Sequence, residues 1–206
     1  MGAPAATEVE VIVFGPGFGE CVLIHAGFNE WIIIDSCIDS QSGQSAPLKY
    51  LQAIGVDAAA HVKLILATHW HDDHVGGLSS IVDACKGAVF ACSAALTRTE
   101  FLELVSTFNK RPLIENSSGL SEIQKTLFAL RARQQTPRYV IADLPVISLG
   151  AGGASHCTLT ALSPSQLEFD RFLHSVAKLV PQRDTKFRFP TLKPNDLSVA
   201  AWLQMG

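Results

Sequence analysis

An apolar run that ends in a burst of ligand side chains constrains this chain more than any other feature. Val62 to Ala67 holds one charge, Lys63, and Thr68 then leads into His69-Trp70-His71-Asp72-Asp73-His74, followed by Val75-Gly76-Gly77. Such a run reads as a buried strand that delivers polar residues into a loop. Three of the chain's seven histidines fall within those six residues. Imidazole nitrogen and carboxylate oxygen together are the donors a catalytic Zn²⁺ site uses. In an extended loop, residues two apart point the same way and neighbours point apart. His69 and His71 can therefore converge on one ion, Asp73 and His74 can swing to a second on the far side, and Asp72 is left as a spacer; the spacing alone shows a metal-ligand cluster. A merely solvated loop gives no reason for three imidazoles at this density.

The rest of the chain is compatible with a domain built around that loop. It has 206 residues, 48% hydrophobic and 17% charged, which suits a single globular domain over 1–206 with its own core and excludes intrinsic disorder. Met1 to Thr7 is uncharged until Glu8, without a cationic leader, and no apolar run reaches membrane-spanning length. The expectation is a soluble cytoplasmic protein with no membrane partner. Five scattered cysteines (Cys21, Cys37, Cys85, Cys92, Cys157) form no CxxC pair, so they read as buried thiols in a reducing compartment. Net charge is −3, but residues 1–83 hold two basic and ten acidic side chains, while 84–206 hold fourteen and nine. A basic wall over a dication site would favour an anionic substrate.

Pattern along the chain puts strands first and then alternates strands with helices. Glu8–Phe14, Cys21–His25 and Trp31–Asp35 read as strands. Gly15-Pro16-Gly17-Phe18-Gly19 reads as a tight turn rather than a phosphate cradle, because a strand follows it. Residues 26–30 read as a hairpin connection. Ser45 and Pro47 open a helix whose Leu48, Leu51 and Ile54 share a face and which stops at Gly55. Val62–Ala67 is the next strand, Leu78, Ile81, Val82 and Cys85 mark a helix, and Ala88–Cys92 marks a strand. Helical spacing recurs at Phe101, Leu104, Val105 and Phe108, and at Leu120, Ile123, Leu127 and Leu130. Ser165 and Glu168 form a capping box ahead of a helix running to Val180. Cys157–Leu162 and Leu197–Trp202 read as late strands. This order predicts an α/β (α+β) fold with helices outside a sheet core, its first three strands antiparallel.

Thr68-His69-Trp70-His71-Asp72-Asp73-His74-Val75-Gly76-Gly77 resembles the HxHxDH motif of the metallo-β-lactamase superfamily, including the Gly-Gly common after it. That resemblance implies an αββα sandwich and two metal ions, Zn²⁺ with Mn²⁺ as the alternative. It implies His69 and His71 on the first ion, Asp73 and His74 on the second, and hydrolysis by a metal-activated hydroxide that Asp73 both ligates and orients. Asn195-Asp196-Leu197-Ser198 resembles a segment opening the second half of the domain in competence-type DNA-uptake relatives, where later residues supply further ligands. On this resemblance the chain is the N-terminal portion of a sandwich incomplete at its C-terminus. The substrate expected is a phosphodiester or nucleic acid rather than a β-lactam. The alternative is a non-catalytic metal-binding remnant, or an interaction subunit that needs a homo-oligomer or a complementing subunit to finish the site.

A further ligand for the first ion is expected from His156, which opens a strand after Gly150-Ala151-Gly152-Gly153. His25, His61 and His174 read as core or surface residues. Asp35 ends the apolar strand Trp31–Ile34, and a carboxylate there requires a buried partner. It is expected beside the ligands rather than on a metal itself, hydrogen-bonded to a ligand histidine or nearby backbone. Arg131, Arg133, Arg138, Arg183, Lys186, Arg188 and Lys193 are candidates for phosphate contacts.

Overall fold

The computed structural model describes residues 2–15, 19–94, 118–151, 154–177 and 194–206. The helical repeat around Phe101 to Phe108, the turn residues Pro16 to Phe18, Gly152-Gly153, Val180 and the basic residues Arg183, Lys186, Arg188 and Lys193 lie outside the described residues.

Two sheets stack face to face. The first has six strands in chain order: β1 (Glu10–Phe14), β2 (Cys21–His25), β3 (Trp31–Asp35), β4 (Val62–Ala67), β5 (Val89–Ser93) and β6 (Arg138–Val140). Its first three strands pair antiparallel through short connections, and β3 to β6 pair parallel. Parallel pairing needs crossovers, and helices supply them: α1 (Ala46–Ala53) and α2 (Ala58–His61) before β4, α3 (Asp72–Val75) and α4 (Leu78–Ala84) before β5, α5 (Ser118–Ala132) before β6. The second sheet is antiparallel, in the order β7 (Pro145–Ala151), β8 (Ala154–Ala161) and β9 (Ala201–Met205). Helix α6 (Gln166–Ala177) lies between β8 and β9 in the chain.

The continuous apolar run of β3 is explained by burial on both faces. Trp31 and Ile33 join a core with Leu51, Leu78, Ile81, Ile123 and Phe169 from the helices. Ile32, between them, joins a second core with Leu64, Leu66, Leu149, Leu159 and Val199 between the sheets. Each such side chain contributes about 1.5–3 kcal/mol on burial. The fold is of the αββα type. Among the described residues its helix, sheet and sheet layers are present, while Ser148, Gln204 and Trp202 on the far face of the second sheet are exposed.

Several local expectations change. Ser45 makes no side-chain cap, and its buried hydroxyl has no partner; Pro47 and the packing of Leu51 hold α1 instead. The capping box forms: Glu168 Oε2 accepts from Ser165 N at 2.8 Å and Oγ at 2.9 Å. The expected strand 197–202 splits, because Pro194–Leu197 makes a 3₁₀ turn and pairing starts only at Ala201. Asn and Asp beside Pro favour such turns over a ladder. The stretches that became α2, β6 and β7 carry too short or too mixed a pattern to read. The motif loop is not extended throughout, since Asp72 to Val75 coil into one helical turn.

No helix among the described residues is long and apolar enough to cross a membrane.

Candidate metal centre

Parallel strands β3 and β4 end side by side, and their C-terminal ends form the floor of the site, the usual place for ligands in such sheets. Asp35 ends β3, and Thr68 and His69 follow β4. Turn α3 is sewn to this edge through its main chain. Ser36 N donates to His74 O at 2.7 Å, Glu20 N donates to Asp73 O at 2.9 Å, and Ser36 Oγ donates to Gly76 O at 2.6 Å. Gly77 has φ +77°, where a side chain is strained, and a Cβ there would strike Ile38. The Gly-Gly pair thus turns the chain from α3 into α4 within reach of the site.

A single carboxylate organises the imidazoles. Asp35 is 6% exposed and sits at φ +59°, a left-handed position that Asp tolerates better than most residues. Its Oδ1 accepts from Thr68 N at 2.7 Å, and its Oδ2 accepts from Thr68 Oγ1 at 2.7 Å and faces His74 Nδ1 at 2.9 Å. Thr68 Oγ1 also lies 2.9 Å from His69 Nδ1. A hydroxyl has one proton to give. Thr68 gives it to Asp35 and must accept from His69, so the network assigns a protonated Nδ1 to His69 and leaves its Nε2 lone pair free. His74 Nδ1 donates to Asp35, so its Nε2 is the nitrogen left to ligate. Two imidazoles are thereby held in the tautomer a metal ligand needs.

The electrostatics follow from the same contacts. Burial lowers the His69 pKa below its ordinary value, helped by the neighbouring His74; a neutral ring is the ligating form. The hydrogen bond that His74 donates to Asp35 raises the His74 pKa, against the opposing effect of burial.

The rings of His69 and His74 lie 4.0 Å apart between centroids, and those of His69 and His71 lie 4.9 Å apart. Asp35, His69 and His74 each place a ligand atom within 4.8 Å of the others, forming a group that could hold a metal ion. Asp73 is half-exposed, with Oδ2 3.8 Å from His74 Nε2. Trp70 points the other way, buried against Phe172 of α6. Alternation therefore holds for His69, Trp70 and His71. The helical turn is what brings His74 back beside His69, closer than the extended loop implied.

His156 is not brought to this cluster. It lies against Phe28, ring centroids 4.8 Å apart, with Nε2 3.3 Å from Glu30 Oε2. Both contacts are at the hairpin end of β3, a five-residue strand away from Asp35, or about 16 Å. The reason is topological: β8, the middle strand of the second sheet, carries His156 to the hairpin end of β3 rather than to the motif end. His25 is buried against Trp31, His61 ends α2, and His174 is exposed on α6. Two of the candidate arginines are engaged elsewhere. Arg133 donates to Val82 O at 2.8 Å and pairs with Asp83, capping α4, while Arg138 donates to Val146 O.

Two residues that matter here carried little sequence signal. Thr68 looked like the last residue before the motif, although a hydroxyl between a buried strand and a ligand is a hint. Asp72, read as a spacer, accepts from Gly119 N at 2.5 Å.

The sequence profile described as the metallo-beta-lactamase superfamily matches residues 14–154. That is more than half of the chain, and the chain belongs to this superfamily. Similar solved structures include the metallo-beta-lactamase SMB-1 bound to 2-mercaptoethanesulfonate, at 21% identity and TM-score 0.45 over 74% of this chain and 49% of that one. BJP-1, a subclass B3 metallo-beta-lactamase of Bradyrhizobium japonicum, matches at 20% identity and TM-score 0.45 over 77% and 52%. MEM-A1, a subclass B3 enzyme from a soil metagenome library, matches at 21% and 0.43 over 77% and 49%. The chain spans about half the length of these structures. No curated protein matches it.

Proposed function

We propose that this chain carries the core of a divalent-metal hydrolase centre, with Zn²⁺ as the favoured ion and Mn²⁺ as the alternative. The observation supporting it is the Asp35–Thr68 network, which makes Nδ1 of His69 and of His74 a hydrogen-bond donor and leaves Nε2 as the ligating atom of each ring. The donor set fits such an ion. His69 and His71 would hold one ion, Asp73 and His74 a second, and Asp35 would orient the rings without binding, because its two oxygens already take three donors. When bound, the metal supplies Lewis acidity and acidifies water towards neutral pH. Asp73 is exposed enough to meet a substrate and can accept a proton at Oδ2. Trp70, packed behind the loop, holds it rigid from the core side.

The substrate class we favour is an anionic phosphodiester or nucleic acid, on the charge balance of the second half. With Arg133 and Arg138 committed to internal contacts, that support rests on the remaining basic residues. The five cysteines are buried and form no disulfide, which fits the reducing cytoplasm. The test is hydrolysis of a bis-aryl phosphodiester, a single-stranded oligonucleotide and a β-lactam with added Zn²⁺ or Mn²⁺. Metal-dependent turnover that Asp73→Ala reduces at least a hundredfold, with an unchanged thermal transition, supports the reading. Turnover retained in Asp73→Ala counts against the role given to Asp73.

A second reading, in which the site is completed by another subunit, is favoured by the surface of β1. Val9, Val11 and Val13 are 47%, 57% and 69% exposed. Val11 pairs with Ile24 and so shares the face that the second sheet covers further along. An apolar row on an edge strand invites association. The expected result is self-association above micromolar concentration, reduced by Val11→Lys with Val13→Lys. A monodisperse wild-type monomer in light scattering, with no binding of a hydrophobic dye, would sink this reading.

A further inference from the structure

Asp72 has no ligand role in the centre described above, yet its carboxylate is held where helix α5 meets the motif. Gly119 N–H donates to Asp72 Oδ1 at 2.5 Å. Gly119 is the second residue of α5, and first-turn N–H groups have no acceptor inside their own helix. The contact also involves the motif's main chain. A Cβ at residue 119 would run into the Trp70 carbonyl oxygen, and would meet Asp72 Oδ1 at 2.8 Å and Asp72 N at 3.3 Å. Only glycine lets the helix end come this close. One turn along, Glu122 Oε2 accepts from Ser79 Oγ at 2.8 Å, tying α5 to α4 as well. Asp72 is bonded on its other side too, since Gly76 N donates to its carbonyl at 3.1 Å and closes turn α3.

These contacts lie between the two halves of the ligand set. His71 precedes Asp72, and Asp73 and His74 follow it. Rotation at residue 72 would change where both followers point. We propose that Asp72 is a positioning residue. Anchored on the α5 N-terminus through Gly119, it locks turn α3 so that Asp73 and His74 face the ion they would hold, beside the one on His69 and His71. The positive end of the α5 dipole favours the carboxylate in this role. The proposal rests on the metal-centre reading, and it adds a device that no ligand assignment contains.

The experiment is Zn²⁺ titration calorimetry on the full chain, joined to hydrogen exchange of peptides covering 69–76 in the metal-free protein. Wild type, Asp72→Ala, Asp72→Asn and Gly119→Ala are compared. Asp72→Ala is expected to weaken Zn²⁺ binding about tenfold or more, the scale of lost supporting contacts around ligands. It is also expected to speed exchange in 69–76. Asp72→Asn keeps an Oδ1 acceptor and should stay close to wild type on both readouts. Gly119→Ala should reproduce Asp72→Ala from the other side, and the double variant should be no worse than either single one, because both break one contact. The proposal is overturned if Asp72→Ala binds Zn²⁺ as wild type does. It is also overturned if Asp72→Asn and Asp72→Ala weaken binding equally without faster exchange, which would mean that only the charge matters. If wild type itself takes up no Zn²⁺, the metal reading fails, and unchanged exchange in Asp72→Ala would then remove the latch as well.

Discussion

Alanine at both His69 and His71 is expected to abolish metal uptake. His69 is the member of the cluster whose ring is buried, neutral by burial and fixed by Thr68, so its loss removes a preorganised donor. His71 adds the adjacent ring, 4.9 Å away. A ligand at a hundred times its dissociation constant stabilises the folded state by about 2.7 kcal/mol, which for a domain of this size raises the melting temperature by roughly 5–10 °C. The wild-type chain should therefore melt higher with Zn²⁺ than with chelator, and the double variant should melt at one temperature in both. Single variants should rank with His69→Ala more severe than His71→Ala, because His69 is buried and held by Thr68 while His71 is only partly buried. Elemental analysis showing wild-type zinc stoichiometry in the double variant would remove the site assignment.

Asp35→Ala is expected to be the most destabilising single change near the site, and to weaken metal binding with it. It strips the acceptor from Thr68 N, Thr68 Oγ1 and His74 Nδ1 at once. Breaking a buried charged contact by removing one partner costs about 3–5 kcal/mol, or roughly 10 °C at this chain length. The penalty has a definite pH dependence in the metal-free protein. The folded pKa of His74 is raised, chiefly by its hydrogen bond to Asp35. The His74–Asp35 contribution is therefore full below the unfolded histidine value and fades as pH rises through the folded one. The gap between wild type and Asp35→Ala should narrow from pH 6 towards higher pH, down to the part owed to Thr68. Denaturant titrations that find the same gap at every pH would break the link to His74. A melting temperature within 2 °C of wild type (roughly half a kcal/mol here) would show that the network contributes little.

The candidate ligand cluster was legible because its residues are local. His69, His71, Asp73 and His74 lie within six residues after a buried strand, although the helical turn that sets His74 beside His69 was not. The helices with clean periodicity were legible for the same reason. Leu78, Ile81 and Val82 all became buried in α4, and the Ser165–Glu168 box forms as spaced. Short elements were not. The three residues of β6 and the four of α2 are too few to show a period, and Ser45 shows that a residue suited to capping does not cap when packing turns its hydroxyl inward.

His156 marks the boundary of such reading. Its sequence setting, a histidine opening a strand after a glycine-rich loop, is equally good for a ligand or for the Glu30 contact it makes. Only strand order and direction decide which end of the sandwich it occupies. The same is true of Asp72 and Thr68, whose partners Gly119, Asp35 and His69 include groups 47 and 33 residues away along the chain. By itself the sequence determined the donor types, their local spacing, and the buried strand that presents them. The tertiary structure alone decided which ring nitrogens meet Asp35 and Thr68, which segment Asp72 contacts, and at which end of the sandwich His156 lies. Hydrogen-bond partnership between distant segments is set by how the sheets and helices pack, and nothing in local pattern encodes it.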